Sequence, residues 1–293
     1  MFPYNWFSTL ISSTILPIHV IGFMYAIVAF NFRPSRSKQP NTGGEWTLKE
    51  WYRDNCIVQI GLSIGMLPEI LISIYNGWNY SVCQADTLYT GTLSGSITFI
   101  WTINKLVDLF ETALILFDSR RPMPIHIIHH SIALSYAFTF YSAGFAIHRW
   151  IVFCNLFSHM ILYSYLSNYK LFCVWQPCWV AVFATQMAQL IIPFVAVIGA
   201  MLNIVIGRQC DADGFGLIVI EMGLFFMILM FADFYWGRLQ QFKRNNFERK
   251  KRMEREEKKE ETPPKQVRRQ LKTDESVMFE NDFPELRSII FSP

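Results

Sequence analysis

Seven runs of about 20 apolar residues constrain this chain more than any other feature. They fall at about 10–32, 57–76, 95–117, 125–144, 150–168, 175–201 and 215–237. About 20 apolar residues in a helix cover the hydrocarbon core of a bilayer. Only helices and closed barrels satisfy every backbone polar group there, so runs of this length are helices. Pro17, Pro68 and Pro193 lie inside runs, which membrane helices tolerate when neighbours satisfy the freed backbone groups. The first run has no basic flank ahead of it and is too long for a signal-peptide core, so it is read as a true span. The expectation is an all-α polytopic membrane protein, with a seven-helix transmembrane domain over 1–237 and a charged tail over 238–293.

The charges are distributed to match. From Arg238 onward lie 15 of the 26 Lys+Arg and 11 of the 23 Asp+Glu, which leaves 23 charges for the first 237 residues. A soluble globule of that length needs many more to cover its surface. Loop charge then sets orientation. Arg33, Arg36, Lys38, Lys49, Arg53, Arg120, Arg121 and Lys170 flank one side, against Arg149 and Arg208 on the other. The positive-inside rule puts the N-terminus outside the cytosol (lumenal) and the tail inside it, and an odd number of helices requires the same split. In the tail, Phe242 to Glu261 alternates basic and acidic blocks and suits a solvated helix. Thr262-Pro263-Pro264 ends it, and the remainder is expected to be disordered.

Six cysteines are no disulfide framework by count. Cys83 and Cys210 alone fall in non-cytosolic loops, where oxidation is allowed, so a bridge between them is expected against the alternative of two free thiols. Cys56, Cys154, Cys173 and Cys178 read as small apolar fillers. Asn79-Tyr80-Ser81 is a glycosylation sequon on the same non-cytosolic side.

Polar groups at membrane depth are costly and are functional candidates by default. His126, His129 and His130, spaced i, i+3, i+4, put three imidazoles on one helix face. In the third run Lys105, Asp108 and Thr112 make one stripe with Glu111 beside it. There Lys105 and Asp108 can form an intrahelical ion pair, either a structural lock or part of a site. Asn155, His159 and Tyr163 follow one turn apart on the fifth run, and Gln186 and Gln189 share a face of the sixth. Glu69, Glu221 and Asp233 are single acids near helix ends and read as packing or interfacial groups.

In this order the motifs resemble those of the very-long-chain fatty acid elongases, membrane 3-ketoacyl-CoA synthases. Lys105-Leu-Val-Asp108-Leu-Phe-Glu111-Thr112 is similar to the family's K-x-x-E-x-x-D-T with its acids exchanged, and His126-Ile-Ile-His129-His130 is a full H-x-x-H-H box. Asn155 to Leu166 resembles N-x-x-x-H-x-x-M-Y-x-Y-Y, with Leu162 for the methionine and Leu166 for the last tyrosine. Gln186-Met-Ala-Gln189 resembles T-x-x-Q-x-x-Q, with Phe183 where the threonine belongs. The resemblance implies condensation of an acyl-CoA with malonyl-CoA, losing CO2 and lengthening the chain by two carbons. It implies no cofactor or metal, residence in the endoplasmic reticulum membrane, and lipid surroundings. It also implies the reductases and dehydratase of the elongation cycle, or a second copy, as partners, and no nucleic acid.

The residues suit that chemistry. No cysteine sits in the motifs, and a neutral imidazole can itself attack a thioester. By resemblance, His129 and His159 face or bond the acyl carbon, while His126 and His130 orient rings or move protons. Lys105, Asp108, Glu111, Asn155, Gln186 and Gln189 are candidates for substrate contacts, among them the oxyanion, carboxylate or CoA. Tyr163 and Tyr165 are candidates for the reacting carbonyl. An apolar bundle interior offers a tunnel for the acyl chain, and the basic cytosolic loops suit CoA phosphates.

Two rivals remain. A membrane di-iron desaturase or hydroxylase also uses H-x-x-H-H boxes, but about eight histidines in three boxes is its pattern. This chain has six in all, with His19 and His148 expected elsewhere in the bundle. A seven-helix transporter or receptor would need another reason for four polar motifs on consecutive runs.

Overall fold

A computed structural model describes residues 2–32, 42–117, 120–168 and 177–260, with side chains for all of these but 42–47 and 256–260. Arg33, Arg36, Lys38, Lys170, Cys173 and the tail beyond residue 262, all given roles above, lie outside the described residues. Those residues form nine helices. They are α1 (Tyr4–Asn31), α2 (Thr42–Tyr75), α3 (Trp78–Cys83), α4 (Asp86–Thr90), α5 (Thr92–Phe117), α6 (Pro124–Ala143), α7 (His148–Ser167), α8 (Trp179–Val205) and α9 (Gly214–Glu260).

All seven expected runs are helices, and five helices are both long and apolar enough to cross a membrane: α1, α2, α7, α8 and α9. The other two, α5 and α6, fall short in apolarity for a chemical reason. Lys105, Asp108 and Glu111 sit on α5, and three histidines with several hydroxyl residues sit on α6. Their 26 and 20 residues remain of spanning length at 1.5 Å per residue.

The segment between the second and third runs differs from the expected plain loop. It forms α3 and α4, and both pack into the bundle end. Arg149, expected as a loop charge, is instead fully buried at the start of α7. Its guanidinium pairs with Glu69 at 3.1 Å. It also donates to the carbonyls of Tyr80 (3.1 Å), Ser81 (3.0 Å) and Gln84 (2.5 Å). A buried guanidinium without such partners would be prohibitive, so this residue fixes the α3–α4 turn. Ser81 of the sequon is buried and its hydroxyl accepts from Trp150 Nε1 at 2.8 Å. Cys83 and Cys210 are joined by a disulfide. Beside it, the Asp211 amide donates to Cys83 O (2.8 Å), and Asp211 Oδ2 accepts from the Ala85 amide (2.7 Å). Cys56 and Cys154 are buried as expected, but Cys178 is exposed, because it stands just ahead of the first turn of α8 rather than packing inside it.

Within the unit that runs to Met230, α2 packs on α7 and α5, α7 on α8, and α5 on α6, while α1 lies against α6. The first part of α9 approaches α6 through Tyr136 Oη, which donates to Val219 O at 2.8 Å. It reaches α8 through the rings of Phe194 and Phe225, 6.5 Å apart. Pro124 suits the first position of α6, where its missing N–H costs nothing. Gly144 ends that helix at φ 71°, in the left-handed region that a C-terminal cap requires. These two residues fix where α6 starts and stops, and hence which turns carry the histidines.

Residues from Phe231 to Glu260 continue α9 as a helix whose described side chains beyond Lys243 are exposed. This agrees with the solvated helix expected for that segment.

Candidate active site

The stripe on α5 is buried in full: Lys105, Asp108, Glu111 and Thr112 are all inside. Lys105 Nζ donates to Asp108 Oδ2 at 2.7 Å within its own helix and to Asn155 Oδ1 of α7 at 2.9 Å. It also lies 5.1 Å from the ring centre of Trp101, a cation–π distance. Asn104 donates to the other oxygen of Asp108 at 3.1 Å. Burying an ion pair is tolerable only with such extra partners.

The chain of hydrogen bonds continues across the bundle. Trp101 Nε1 donates to Asn155 Oδ1 (2.9 Å), Asn155 Nδ2 to Gln189 Oε1 (3.1 Å), and Gln189 Nε2 to Gln186 Oε1 (2.7 Å). Three helices are thereby threaded by one polar relay. It ends in Gln186 Nε2, a buried donor with no protein partner among the described residues.

Two of the α6 imidazoles touch the α5 stripe. The rings of His126 and His130 stack at 4.0 Å, as i and i+4 should, and those of His129 and His130 stand 5.5 Å apart. His130 Nδ1 lies 3.2 Å from the carbonyl oxygen of Asp108 and donates to it as Nδ1–H. That assignment leaves its Nε2 unprotonated when the ring is neutral. His126 Nε2 lies 2.8 Å from Thr112 Oγ1, and its Nδ1 lies 3.9 Å from Glu111 Oε1. From α7, the His159 ring faces that of His129 at 6.4 Å, and its Nδ1 has no partner among the described residues. Tyr163 Oη donates to Glu111 Oε2 at 3.1 Å. Tyr165, two residues further along α7, is buried about 200° around the helix from Tyr163, so the two hydroxyls do not share a face.

A cavity of about 80 Å³ borders this cluster. His129, Asn155, Gln189 and Trp101 line its polar end, and Ile132, Ala133, Tyr136, Ile151, Leu190, Gly223, Leu224 and Met227 line the rest. Pockets that enclose a whole drug-sized ligand run to several hundred Å³. This one is too small to enclose such a ligand whole.

Three residues of the cluster carried no signal in the sequence analysis, and a fourth was placed elsewhere. Tyr52 of α2 stacks on Tyr163 at 5.7 Å, and Tyr25 Oη of α1 lies 2.6 Å from Thr112 Oγ1. Trp101 holds Asn155, and His148, expected elsewhere in the bundle, packs edge-on against Trp101 at 5.2 Å. A single aromatic residue in an apolar run looks like packing, and only tertiary contact reveals its role. Glu111, His126 and His130 offer ligand atoms within 4.8 Å of one another, a donor set able to hold one divalent ion.

This is a buried, histidine-centred site with a carboxamide relay, in an all-helical protein with five helices long and apolar enough to cross a membrane. Residues 10–247 match the ELO: GNS1/SUR4 family, and the chain belongs to it. It is similar to a Caenorhabditis elegans protein named as fatty acid elongase 3, 24% identical over 79% of this chain and 70% of that one. It is also similar to a fatty acid elongase of Dictyostelium discoideum, 25% identical over 38% of each chain. A third relative is very long chain fatty acid elongase 6 of Drosophila melanogaster, 27% identical over 34% of this chain and 32% of that one. The matched segment thus spans well under two thirds of the second and third of these relatives. No solved structure matches.

Proposed function

We propose that this protein acts in fatty acid elongation as the condensing enzyme, joining a long-chain acyl-CoA to malonyl-CoA to give a 3-ketoacyl-CoA, CO2 and free CoA. The observation that carries the reading is that His159 faces His129, which stands at the polar end of an apolar cavity beside a relay that ends in an unpaired amide donor. Family membership supports it, as do the names of the relatives.

In this mechanism an imidazole nitrogen of His159 or His129 attacks the thioester carbon. The C–S bond breaks, and the ring's N–H proton leaves with the CoA thiolate, giving an N-acylimidazole. Malonyl-CoA then loses CO2, and the bond electrons remain as an enolate on the thioester. The enolate carbon attacks the acyl group and the C–N bond breaks. The departing imidazole recovers one proton from solvent through His126 or His130. Lys105, Asn155, Gln186 and Gln189 supply the donors that steady the enolate oxygen and the malonyl carboxylate.

Lys105 is bound within the network, so its positive charge acts over one turn rather than by free movement. Glu111, Asp108 and Tyr163 hold His126 and Lys105 in place. The seven long helices are read as spans, with the disulfide end lumenal and the α9 tail cytosolic, in the endoplasmic reticulum. Acyl-CoA and malonyl-CoA approach from the cytosolic side.

The test is to incubate the purified protein with malonyl-CoA and a panel of acyl-CoAs and to look for 3-ketoacyl-CoA. Formation of the product carried two carbons further is expected, and none from any acyl-CoA overturns the reading. The trio Glu111, His126 and His130 favours a second reading, a membrane iron enzyme acting on a fatty acyl chain. Stoichiometric iron in active protein, with activity lost on chelation, selects it over condensation.

A further inference from the structure

We propose that Tyr136, seated on Gly223, is a specificity-determining residue that limits the bulk of the acyl chain about eight carbons from its carbonyl carbon. Straight chains would then be accepted over chains branched at that depth. The inference rests on the condensation reading for its substrate class.

Three observations converge on this pair. Both residues line the cavity whose other end is His129 and Asn155. From His129 to Tyr136 is seven residues of α6, or about 10 Å along the helix. An extended acyl chain advances roughly 1.3 Å per carbon, so Tyr136 is met at about the eighth carbon of a chain whose carbonyl lies at the imidazoles. The phenol is also fixed in place. Its hydroxyl donates to Val219 O at 2.8 Å, and its ring meets Phe140 edge-on at 5.2 Å.

The third observation is the glycine. A Cβ placed on Gly223 would overlap the Tyr136 hydroxyl and ring, so this seat exists only because position 223 has no side chain. Among the other lining residues, Ile132, Ile151, Leu190 and Leu224 are branched aliphatic groups from four different helices. Tightly packed interiors of this kind yield little to an added methyl.

The pair makes opposite predictions for two substitutions on two helices. Tyr136→Ala removes the ring and enlarges the cavity at its far end. Gly223→Ala drives the ring off α9 and into the cavity. Tyr136→Phe removes only the hydrogen bond to Val219 and leaves the volume unchanged. A role in stability alone would scale the straight-chain and branched-chain rates together.

The experiment measures kcat/KM for palmitoyl-CoA and for its 8-methyl-branched analogue, in wild type and the three variants. One methyl in a close-fitting apolar pocket discriminates by about 10–200-fold. Wild type is expected to prefer the straight chain within that range. Tyr136→Ala should cut the ratio at least about tenfold, Gly223→Ala should raise it, and Tyr136→Phe should leave it nearly unchanged. Because a ratio is independent of the folded fraction, partial misfolding of a variant does not blur the result. A wild type that takes both substrates equally, or an unchanged ratio in Tyr136→Ala, overturns the inference while leaving condensation intact. If wild type condenses no acyl-CoA, the condensation reading fails. Thermal stabilisation by the same two acyl-CoAs then reads the pocket, and equal stabilisation of wild type and Tyr136→Ala by both overturns it.

Discussion

Lys105 on α5 donates to the carboxamide oxygen of Asn155 on α7 at 2.9 Å, while keeping its ion pair with Asp108 at 2.7 Å. One buried cation thus has both a structural and a site-facing partner. The two roles raised for it in the sequence analysis are both served by one ammonium group.

Lys105→Met should destabilise the protein by about 3–5 kcal/mol, since it strands the Asp108 carboxylate with Asn104 as its remaining side-chain donor. A thermal melt reads this directly. The double variant Lys105→Met with Asp108→Leu should recover much of the melting temperature, because it buries no lone charge. It should recover none of the condensation, and recovery of both would reduce Lys105 to a lock between helices.

His129→Ala and His159→Ala should each lower condensation by at least about 10²-fold while the helical content and melting midpoint stay near wild type. Near-normal turnover by either variant removes that residue from the covalent role. His126→Ala should also be severe, but by releasing Thr112 and Glu111, which touch it at 2.8 and 3.9 Å. Partial activity in His126→Gln, which keeps a hydrogen-bonding side chain, would mark it as a positioning residue.

Arg149→Met should cost about 3–5 kcal/mol, because it leaves Glu69 without its cation and strands the carbonyls of Tyr80, Ser81 and Gln84. Glu69→Gln should cost less, since the carboxamide still accepts from Arg149 and from Thr87, which now donates at 3.0 Å. Circular-dichroism melts of both variants decide the order. A milder effect for Arg149→Met than for Glu69→Gln would contradict the buried pair as the organiser of that end.

Cys83→Ser should lower stability by about 5 kcal/mol in the chain-entropy account, because the bridge closes a loop with a sequence separation of 127. Mass spectrometry of unreduced peptides from intact membranes should recover the two cysteines linked. Free, alkylatable thiols at both positions would count against the bridge and also against the lumenal placement of that end.

Membrane class, the long helices and most of the cluster were legible in the sequence because each follows from local rules. Apolar length fixes spans, and spacings of three, four and seven residues put Lys105, Asp108 and Thr112 on one stripe and His126, His129 and His130 on another. The tertiary structure alone decided which stripes meet. Only packing brings Asn155 of α7 between Lys105 of α5 and Gln189 of α8, and only packing gives Tyr52 and Tyr25 their partners. Arg149 shows the same limit. Its sequence position reads as a loop charge, yet it lies inside because four acceptors, distant in sequence, converge on it. Tyr163 and Tyr165 were grouped by proximity in the motif, and the helix separates them. Local spacing sets the face a side chain occupies, but what that face touches depends on long-range packing of helices whose apolar surfaces are nearly interchangeable. The seat of Tyr136 on Gly223 lies at that level, since one missing side chain on a distant helix sets the shape of the cavity.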